Sequence, residues 1–379
     1  ADLAGCARPP GLEPSSLDMA DFVQSNYIPL SYGMPESASS FAERAAPWRR
    51  SSSASGSAQP APLADFVQFG DEEPAAAARE AEEAPAAAAV ATPELSWSAE
   101  RVYDGESTLL TLHEDIIDFW RAFQPTPREA EARRDLLDRL RSLLTSMWPD
   151  ADVRPFGSYA TGLFLPTSDV DIVVLGIGLE TKAERVAGLR ALAARLEEAE
   201  WEVHDLEVID KAKVPIVKFW DATSRVAVDV CLEVRDGIAS SNLAKKASEQ
   251  FPAFKYLVLV LKRWLAQRGL ADTYTGGVGS FLLQLLVISA IQHPPATQAA
   301  LRGSLGGLLL HFFEVYGLRF NYAKCGISIA QRGRFFPKQS RGWLDDANPT
   351  RLCVENPFDS SVDCGAPAYN IHQFRNACC

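Results

Sequence analysis

The stretch Phe156–Val174, FGSYATGLFLPTSDVDIVV, sets two aspartates, Asp169 and Asp171, at the mouth of an apolar run shortly after a Gly-Ser pair. The run DVDIVVLG has the β-branched content of a strand. In a strand, residues i and i+2 face the same side, so the two acids are expected to project together. Adjacent carboxylates repel, and half-burying them is costly unless a cation lies between them. A divalent ion bound mainly by oxygens fits, with Mg2+ the first choice and Mn2+ a substitute. A third acid comes from RVAVDVCLEV, where Asp229 interrupts an apolar strand on the side shared by Ala227 and Cys231.

Three carboxylates can hold two metal ions. In that scheme one ion activates an attacking hydroxyl and the other steadies the leaving phosphate oxygens. Asp169 and Asp171 would bridge both ions, and Asp229 would hold the nucleophile's ion and help take its proton. The Gly157-Ser158 pair complements this. Glycine lets a backbone approach a phosphate closely, and a helix opening there aims free N–H groups at an anion. Taken singly, Gly-Ser reads as an ordinary turn and Asp-x-Asp as a solvated strand end. Together, with a third strand aspartate, they point to phosphate chemistry. A metallophosphatase would explain the Asp-x-Asp but not the Gly-Ser helix.

The chain has 379 residues, 47% of them hydrophobic, enough for two domains or one two-lobed enzyme. No apolar run approaches bilayer-spanning length and no charged-then-apolar leader opens the chain, so a soluble, intracellular protein is expected, with no membrane partner. The opening Ala1 is read as the mark of a fragment, and the closing Cys378-Cys379 as that of a truncated or mis-joined end. The net charge is −12, but the first hundred residues carry 5 basic and 15 acidic side chains against 32 and 34 in the remainder. The remainder is therefore near neutral, with room for a local basic patch but no strong global pull on nucleic acid. The seven cysteines are irregularly spaced and none forms a C-x-x-C pair, which suggests neither a zinc module nor a disulfide framework. Reduced thiols in the nucleus or cytosol are expected.

Residues 1–105 read as a disordered, acidic Ala/Ser/Pro-rich tail that cannot bury enough apolar surface to offset ordering entropy. Two islands in it, LDMADFVQSNYIPL and LADFVQFG, share an Ala-Asp-Phe-Val-Gln core and read either as docking motifs or as chance apolar residues. A leading helix is expected over 106–125, with Leu112, Ile116, Phe119 and Phe123 on one stripe. A second helix has Pro127 in its first turn and Leu136, Leu140, Leu143, Leu144 and Met147 as its apolar face, and Pro149 stops it. Strands then alternate with short helices to residue 236, and the chain turns helical from Gly237. The fold class is α+β.

At these residues the chain resembles the DNA polymerase β-like nucleotidyltransferase superfamily, and within it the noncanonical poly(A) polymerases, terminal nucleotidyltransferases that tail RNA for nuclear surveillance. FGSYATGLFLPTSDVDIVV is similar to the superfamily signature. LHEDIIDFWRAFQPTPREAEAR is similar to the family's leading helices, and VIDKAKVPIVKFWD to its central hairpin. YLVLVLKRWLAQRGLADTYTGGVGSFLL and LLLHFFEVYGLRFNYAKCGISI are similar to its helical central domain, and LCVENPFDSSVDCGAPAYNIHQFRNA to its closing segment. The resemblance runs from Leu112 to Ala377. It implies a leading helix over 106–125 packed on the central domain, a catalytic nucleotidyltransferase domain of mixed sheet and helices over 126–236, and a mostly helical central domain over 237–379.

The resemblance further implies Asp169, Asp171 and Asp229 as catalytic metal ligands, and nucleotide contacts from Gly157, Ser158, Gly237, Lys262, Ser280 and Phe281. Read alone, Lys262 is a surface lysine, Ser280 a helix N-cap and Phe281 a core aromatic. The implied activity is addition of adenylates from ATP to an RNA 3′ end with two Mg2+ ions. The implied partners are a zinc-knuckle RNA-binding protein, a helicase and the exosome. The implied place is the nucleus, its nucleolus included, with the cytoplasm as the alternative.

Four positions depart from the family pattern. Phe281 stands where Tyr is usual, Asn356 where Asp is expected, Val362 where an asparagine would read the base, and Ala366 where Arg or Lys is usual. Valine neither donates nor accepts, so base selectivity is expected to be weaker or placed elsewhere, with Asp363 as a substitute reader or a solvated loop acid. A uridylyl or relaxed-specificity transferase and an inactive scaffold of the same fold are the competing readings.

Overall fold

A computed structural model of the chain describes residues 108–199, 201–294 and 304–379. The two Ala-Asp-Phe-Val-Gln islands and the tail assigned to 1–105 lie outside the described residues.

Helix α1 (Thr108–Ala122) turns Ile116 and Ile117 inward. Both belong to the core of the helical half. Thr126 then caps α2 (Pro127–Met147) in a capping box: the Thr126 N–H donates to Glu129 Oε2 at 2.9 Å, and the Glu129 N–H donates to Thr126 Oγ1 at 3.3 Å. Pro127 opens the helix, where its missing N–H has no partner to lose. The buried face of α2 is Leu136, Leu137, Leu140 and Leu144; Leu143 and Met147 pack only at its margin.

A five-stranded sheet follows, built from β1 (Asp152–Phe156), β2 (Val170–Leu175), β3 (Val203–Ile209), β4 (Ile216–Asp221) and β5 (Val226–Leu232), in the order β1-β2-β5-β4-β3. Only β2 and β5 run parallel; the other neighbours are antiparallel. Short helix α3 (Gly157–Thr161) links β1 towards β2, and α4 (Lys182–Glu198) crosses between β2 and β3. Period-2 alternation divides the sheet into two faces. Ile172, Val174, Val217, Phe219, Val228 and Val230 face α2 and α4. Asp171, Val173, Asp229, Cys231, Ile216, Lys218 and Trp220 take the other parity. On that second face Val173, Leu175 and Cys231 form a small apolar cluster with Phe156 and Ile216 packed against it.

The second half contains α5 (Asp236–Gln250), α6 (Phe254–Gln267), α7 (Ser280–Gln292), α8 (Leu305–Glu314) with a π-helical extension to Arg319, and α9 (Ile371–Cys378). Leu257, Leu261, Leu283, Leu286, Phe312 and Phe374 are among its buried centre. Helix α5 opens this half where the chain is expected to turn helical. One feature differs from the sequence reading. A hairpin of β6 (Cys325–Ser328) and β7 (Arg334–Pro337) interrupts the helical half. Behind it Lys338, 1% exposed, donates to the carbonyls of Tyr322 and Arg351 at 2.6 and 2.5 Å. These bonds tie the hairpin to the closing segment. No helix among the described residues is long and apolar enough to cross a membrane.

Candidate active site

The register of the sheet assembles the site. Phe156 pairs with Asp171, Asp171 with Asp229, and Asp229 with Lys218, so one row crosses four strands. Asp169 stands one residue ahead of β2, in the loop rather than in the strand. Ligand atoms of Asp169, Asp171 and Asp229 all lie within 4.8 Å of one another.

Gly157 follows β1 with φ +65°, and a Cβ there would overlap the Asp171 carboxylate. Its N–H donates to Ser241 Oγ at 2.8 Å, and Ser241 Oγ donates to the Gly237 carbonyl at 2.7 Å. A Cβ on Gly237 would enter the Phe156 ring. These two glycines let the start of α3 and the first turn of α5 close on the edge of the acidic row.

Burial, then Asp169 and Asp229, push the Asp171 carboxyl up to about 7, against the pull of Lys262 and Lys218. Burial and Asp169 also raise Asp229. The buried Oδ1 of Asp229 accepts no hydrogen bond. The Lys218 ammonium stands 3.2 Å from it and 3.9 Å from Asp169 Oδ2. Burial opposes charge on Lys218, but Asp229, Asp169 and Asp171 outweigh it and hold its pKa above the usual range. Two lysines, Lys218 and Lys262, against three clustered carboxylates leave excess negative charge. Crowded, half-buried carboxylates, two of them with raised pKa values, are what a divalent cation site offers. The donor set fits such an ion.

Beside the acids lies a cavity of about 530 Å³. Gly157, Ser158 and Gly237 line it together with Asp169 and Asp171, while Lys262, Ser280 and Phe281 reach it from α6 and α7. The structure thus brings all six of the anticipated nucleotide-contact residues to one cleft. Lys262 is no surface lysine: its ammonium donates to the Leu163 carbonyl at 2.9 Å. Burial lowers its pKa, partly offset by Asp169 and Asp171. Ser280 is the first residue of α7, and Gly279 is its N-cap.

The closing segment corrects one expectation. Asp363 is neither a base reader nor a solvated acid. It accepts the N–H groups of Val354 and Gly365 at 2.9 and 2.8 Å and pairs with Arg351 at 3.1 Å. It is therefore committed to holding the segment's backbone. Val362 is 42% exposed, and Asn356 spends its Oδ1 on the Phe358 N–H. Phe358 lies nearly parallel to Phe281, ring centres 6.3 Å apart, so the segment meets the cleft through that ring. Lys218, which sequence reasoning passed over, has no signal of its own in VPIVKFWD. Only the β4–β5 register shows that it faces Asp229.

Comparison with known proteins agrees with this geometry. Residues 112–248 match the family described as poly(A) RNA polymerase, mitochondrial-like, central palm domain, and residues 304–362 match the Cid1 family poly A polymerase. The inactive non-canonical poly(A) RNA polymerase protein Trf4-2 of Drosophila melanogaster is 34% identical over 290 residues, covering 74% of this chain and 70% of that protein. The chain belongs to the noncanonical poly(A) RNA polymerase family. A second family member, poly(A) RNA polymerase CID14 of Cryptococcus neoformans, is 34% identical over 271 residues, which is 70% of this chain but 35% of that protein. The poly(A) RNA polymerase protein 2 of Saccharomyces cerevisiae is 33% identical, with 45% of its length matched. The chain thus spans less than half the length of these two relatives. Among solved structures, the polymerase core of TRAMP, an RNA surveillance complex, superposes with a TM-score of 0.65 at 33% identity, covering 71% of this chain and 84% of that one. The Cid1 poly(U) polymerase, 21% identical with a TM-score of 0.59, shares the fold.

Proposed function

We propose that this protein is a template-independent RNA nucleotidyltransferase that adds adenylates from ATP to RNA 3′ ends. The observation that carries the reading is the row of Asp171, Asp229 and Lys218 completed by Asp169 and opening on a cleft lined by Gly157, Ser158 and Lys262. Kinship alone does not carry activity, since one relative is described as inactive. This chain keeps all three carboxylates.

Asp169, Asp171 and Asp229 would hold two Mg2+ ions, with Mn2+ as a substitute. Bound there, the ions would activate the attacking hydroxyl and neutralise charge on the leaving phosphates. The RNA 3′-oxygen attacks the α-phosphorus of ATP. The bond from that phosphorus to the oxygen leading to the β-phosphate breaks, and pyrophosphate leaves. Asp229 orients the hydroxyl and accepts its proton. Ser158 brings its hydroxyl and the opening backbone of α3 to the triphosphate, Gly157, its own N–H held by Ser241, lets that turn come close, and Gly237 keeps the α5 turn close. Lys262 offsets triphosphate charge, Ser280 adds a hydroxyl, and the Phe281 ring stacks on the base.

A second reading, a uridylyl or relaxed-specificity transferase, draws on Val362, which offers no polar group to a base. We further propose that the protein works in the nucleus, its nucleolus included, with a zinc-knuckle RNA-binding protein, a helicase and the exosome. The near-neutral charge of the chain beyond residue 100 supports dependence on a basic RNA-binding partner. The experiment is extension of a labelled RNA oligomer with Mg2+ and each nucleoside triphosphate in turn, beside an Asp169→Ala, Asp171→Ala double variant. Extension with ATP alone supports adenylate addition, and extension with UTP or with several nucleotides supports the second reading. No extension, even with a zinc-knuckle protein added, would leave an inactive scaffold.

A further inference from the structure

A second cavity, of about 560 Å³, adjoins the cleft. Thr167, Ser168 and Ala266 line both, so the two flank the loop that ends in Asp169. The second cavity is built differently from the first. Its sheet side is Trp220 on β4 and Arg225 in the turn to β5, and Arg263 and Gln267 reach it from α6.

The register fixes the distance from the reacting centre. Trp220 pairs with Ala227, and two residues away on the same strands Lys218 pairs with Asp229. Side chains two apart on a strand share a face and stand about 7 Å apart. The half-buried indole therefore lies beside the third carboxylate on the same sheet surface. Its partner Ala227 is too small to cover it. Arg225 comes next, exposed, at φ +57°, and has no ion pair among the described residues. Leading away from Asp229, the surface thus runs carboxylate, aromatic ring, cation.

An aromatic face flanked by guanidinium groups is how proteins hold single-stranded nucleic acid, the ring stacking a base and the cations meeting phosphates. The cleft with Gly157, Ser158 and Lys262 has the donors for a triphosphate. The second cavity has none of that glycine-turn machinery. We infer that the groove of Trp220, Arg225 and Arg263 holds the 3′-terminal segment of the acceptor RNA. A terminal base stacks on Trp220, and the phosphates behind it meet Arg225 and Arg263. This rests on the nucleotidyl-transfer reading and places the acceptor on the side of Asp229 away from the triphosphate. It also gives a local basic patch to a chain whose global charge has no pull on RNA.

The test uses the full chain with a short, 5′-labelled, single-stranded RNA. Binding is read by fluorescence anisotropy over a range of salt, and extension gives separate KM values for RNA and for ATP. The variants are Trp220→Ala, Trp220→Phe and Arg225→Glu. Trp220→Ala should raise the RNA Kd and KM about tenfold, within the range seen for loss of one stacked base, and leave the KM for ATP within about twofold. Trp220→Phe should stay near the parent. Arg225→Glu, on an exposed turn where folding is not at risk, should weaken binding and lower the slope of log K against log salt by about 1. An RNA Kd unchanged in both Trp220→Ala and Arg225→Glu overturns the groove, as does a KM for ATP that rises in step with that for RNA. RNA binding lost in these variants while the parent extends nothing, even with a zinc-knuckle protein added, would keep the groove and overturn the enzymatic reading. A parent that neither binds nor extends the RNA, even with a zinc-knuckle RNA-binding protein added, overturns both.

Discussion

Asp171 and Asp229 stand directly opposite each other across the one parallel strand pair of the sheet, with Asp169 beside them. Parallel pairing places like charges at a fixed distance that neither backbone can relax. The row is therefore a site where stability is given up for charge. Asp171→Asn should raise the melting temperature of the metal-free protein at alkaline pH by several degrees, roughly 1 kcal/mol or more of relieved repulsion. The same variant should lose RNA extension by about a thousandfold or more, the scale of a ligand lost from a two-metal site. Thermal melts and extension rates on the same preparation check both. A variant that melts below its parent would show that the repulsion is already neutralised.

The pH dependence follows with a definite sign. Asp171 titrates near 7 in the metal-free fold against 3.8 for a free carboxyl. Between those values the folded chain holds a proton that the unfolded chain has released. Metal-free stability should therefore fall as pH rises from about 4 to about 7 and level off above. A divalent cation takes that proton's place. Mg2+ affinity should rise by up to about tenfold per pH unit towards 7 and flatten beyond it. Calorimetric titration of Mg2+ at a series of pH values reads this directly. A flat profile below 7 would mean that no proton is displaced.

The legible parts of the molecule were those where one residue type has one physical explanation. Paired acids in an apolar strand demand a countercharge, and Gly157 demands a close approach, so the cleft could be read before the fold. The turn to helix at Gly237 was legible, but no apolar stripe marks the extent of α5, since DGIASSNLAKKASEQ buries only Ser241, Ala244 and Ala247. The β6–β7 hairpin was missed because CGIS is four residues long, all buried, with no alternation to betray a strand. Lys218 and Trp220 were opaque for another reason. Their meaning lies in what faces them, and register is a property of pairing that a single strand's sequence does not carry.

Glycine at 157 is required by contact as well as by φ. Gly157→Ala places a methyl against the Asp171 carboxylate at a left-handed backbone position. It should abolish Mg2+-dependent extension while the far-UV circular dichroism stays that of the parent. Retained Mg2+ affinity in this variant would show that Asp171 can swing aside.

On the sheet's opposite face, Asp221 is fully buried at the end of β4. It pairs with Arg139 Nη2 at 2.8 Å, accepts the Ser224 N–H at 2.8 Å, and accepts the Trp201 indole N–H. Its hydrogen bonds hold its pKa low against the cost of burial. Asp221→Ala removes the partner of three donors and should cost about 1–3 kcal/mol, the usual loss when buried donors are left unpaired, since the Arg139 left behind is partly exposed and can be solvated. Urea unfolding measures it. The KM for ATP should not move, since Asp221 does not line the cleft.

Base choice is the finest question the site poses. Phe281 reaches the cleft and lies nearly parallel to Phe358, whose segment carries Val362. The main chain around Val362 is fixed independently of its side chain: its N–H donates to the Asp359 carbonyl at 3.0 Å and its carbonyl accepts the Asn356 N–H at 3.0 Å. Substitution there should leave the loop in place. Phe281→Tyr adds a hydroxyl beside the base and should lower the KM for ATP by about 2- to 10-fold, the value of one net hydrogen bond. Val362→Asn should raise the ratio of ATP to UTP use by a similar factor. Competition assays with mixed nucleotides read both. A ratio that ignores Val362→Asn but follows Phe281→Tyr would place base selection on α7 rather than on the closing segment.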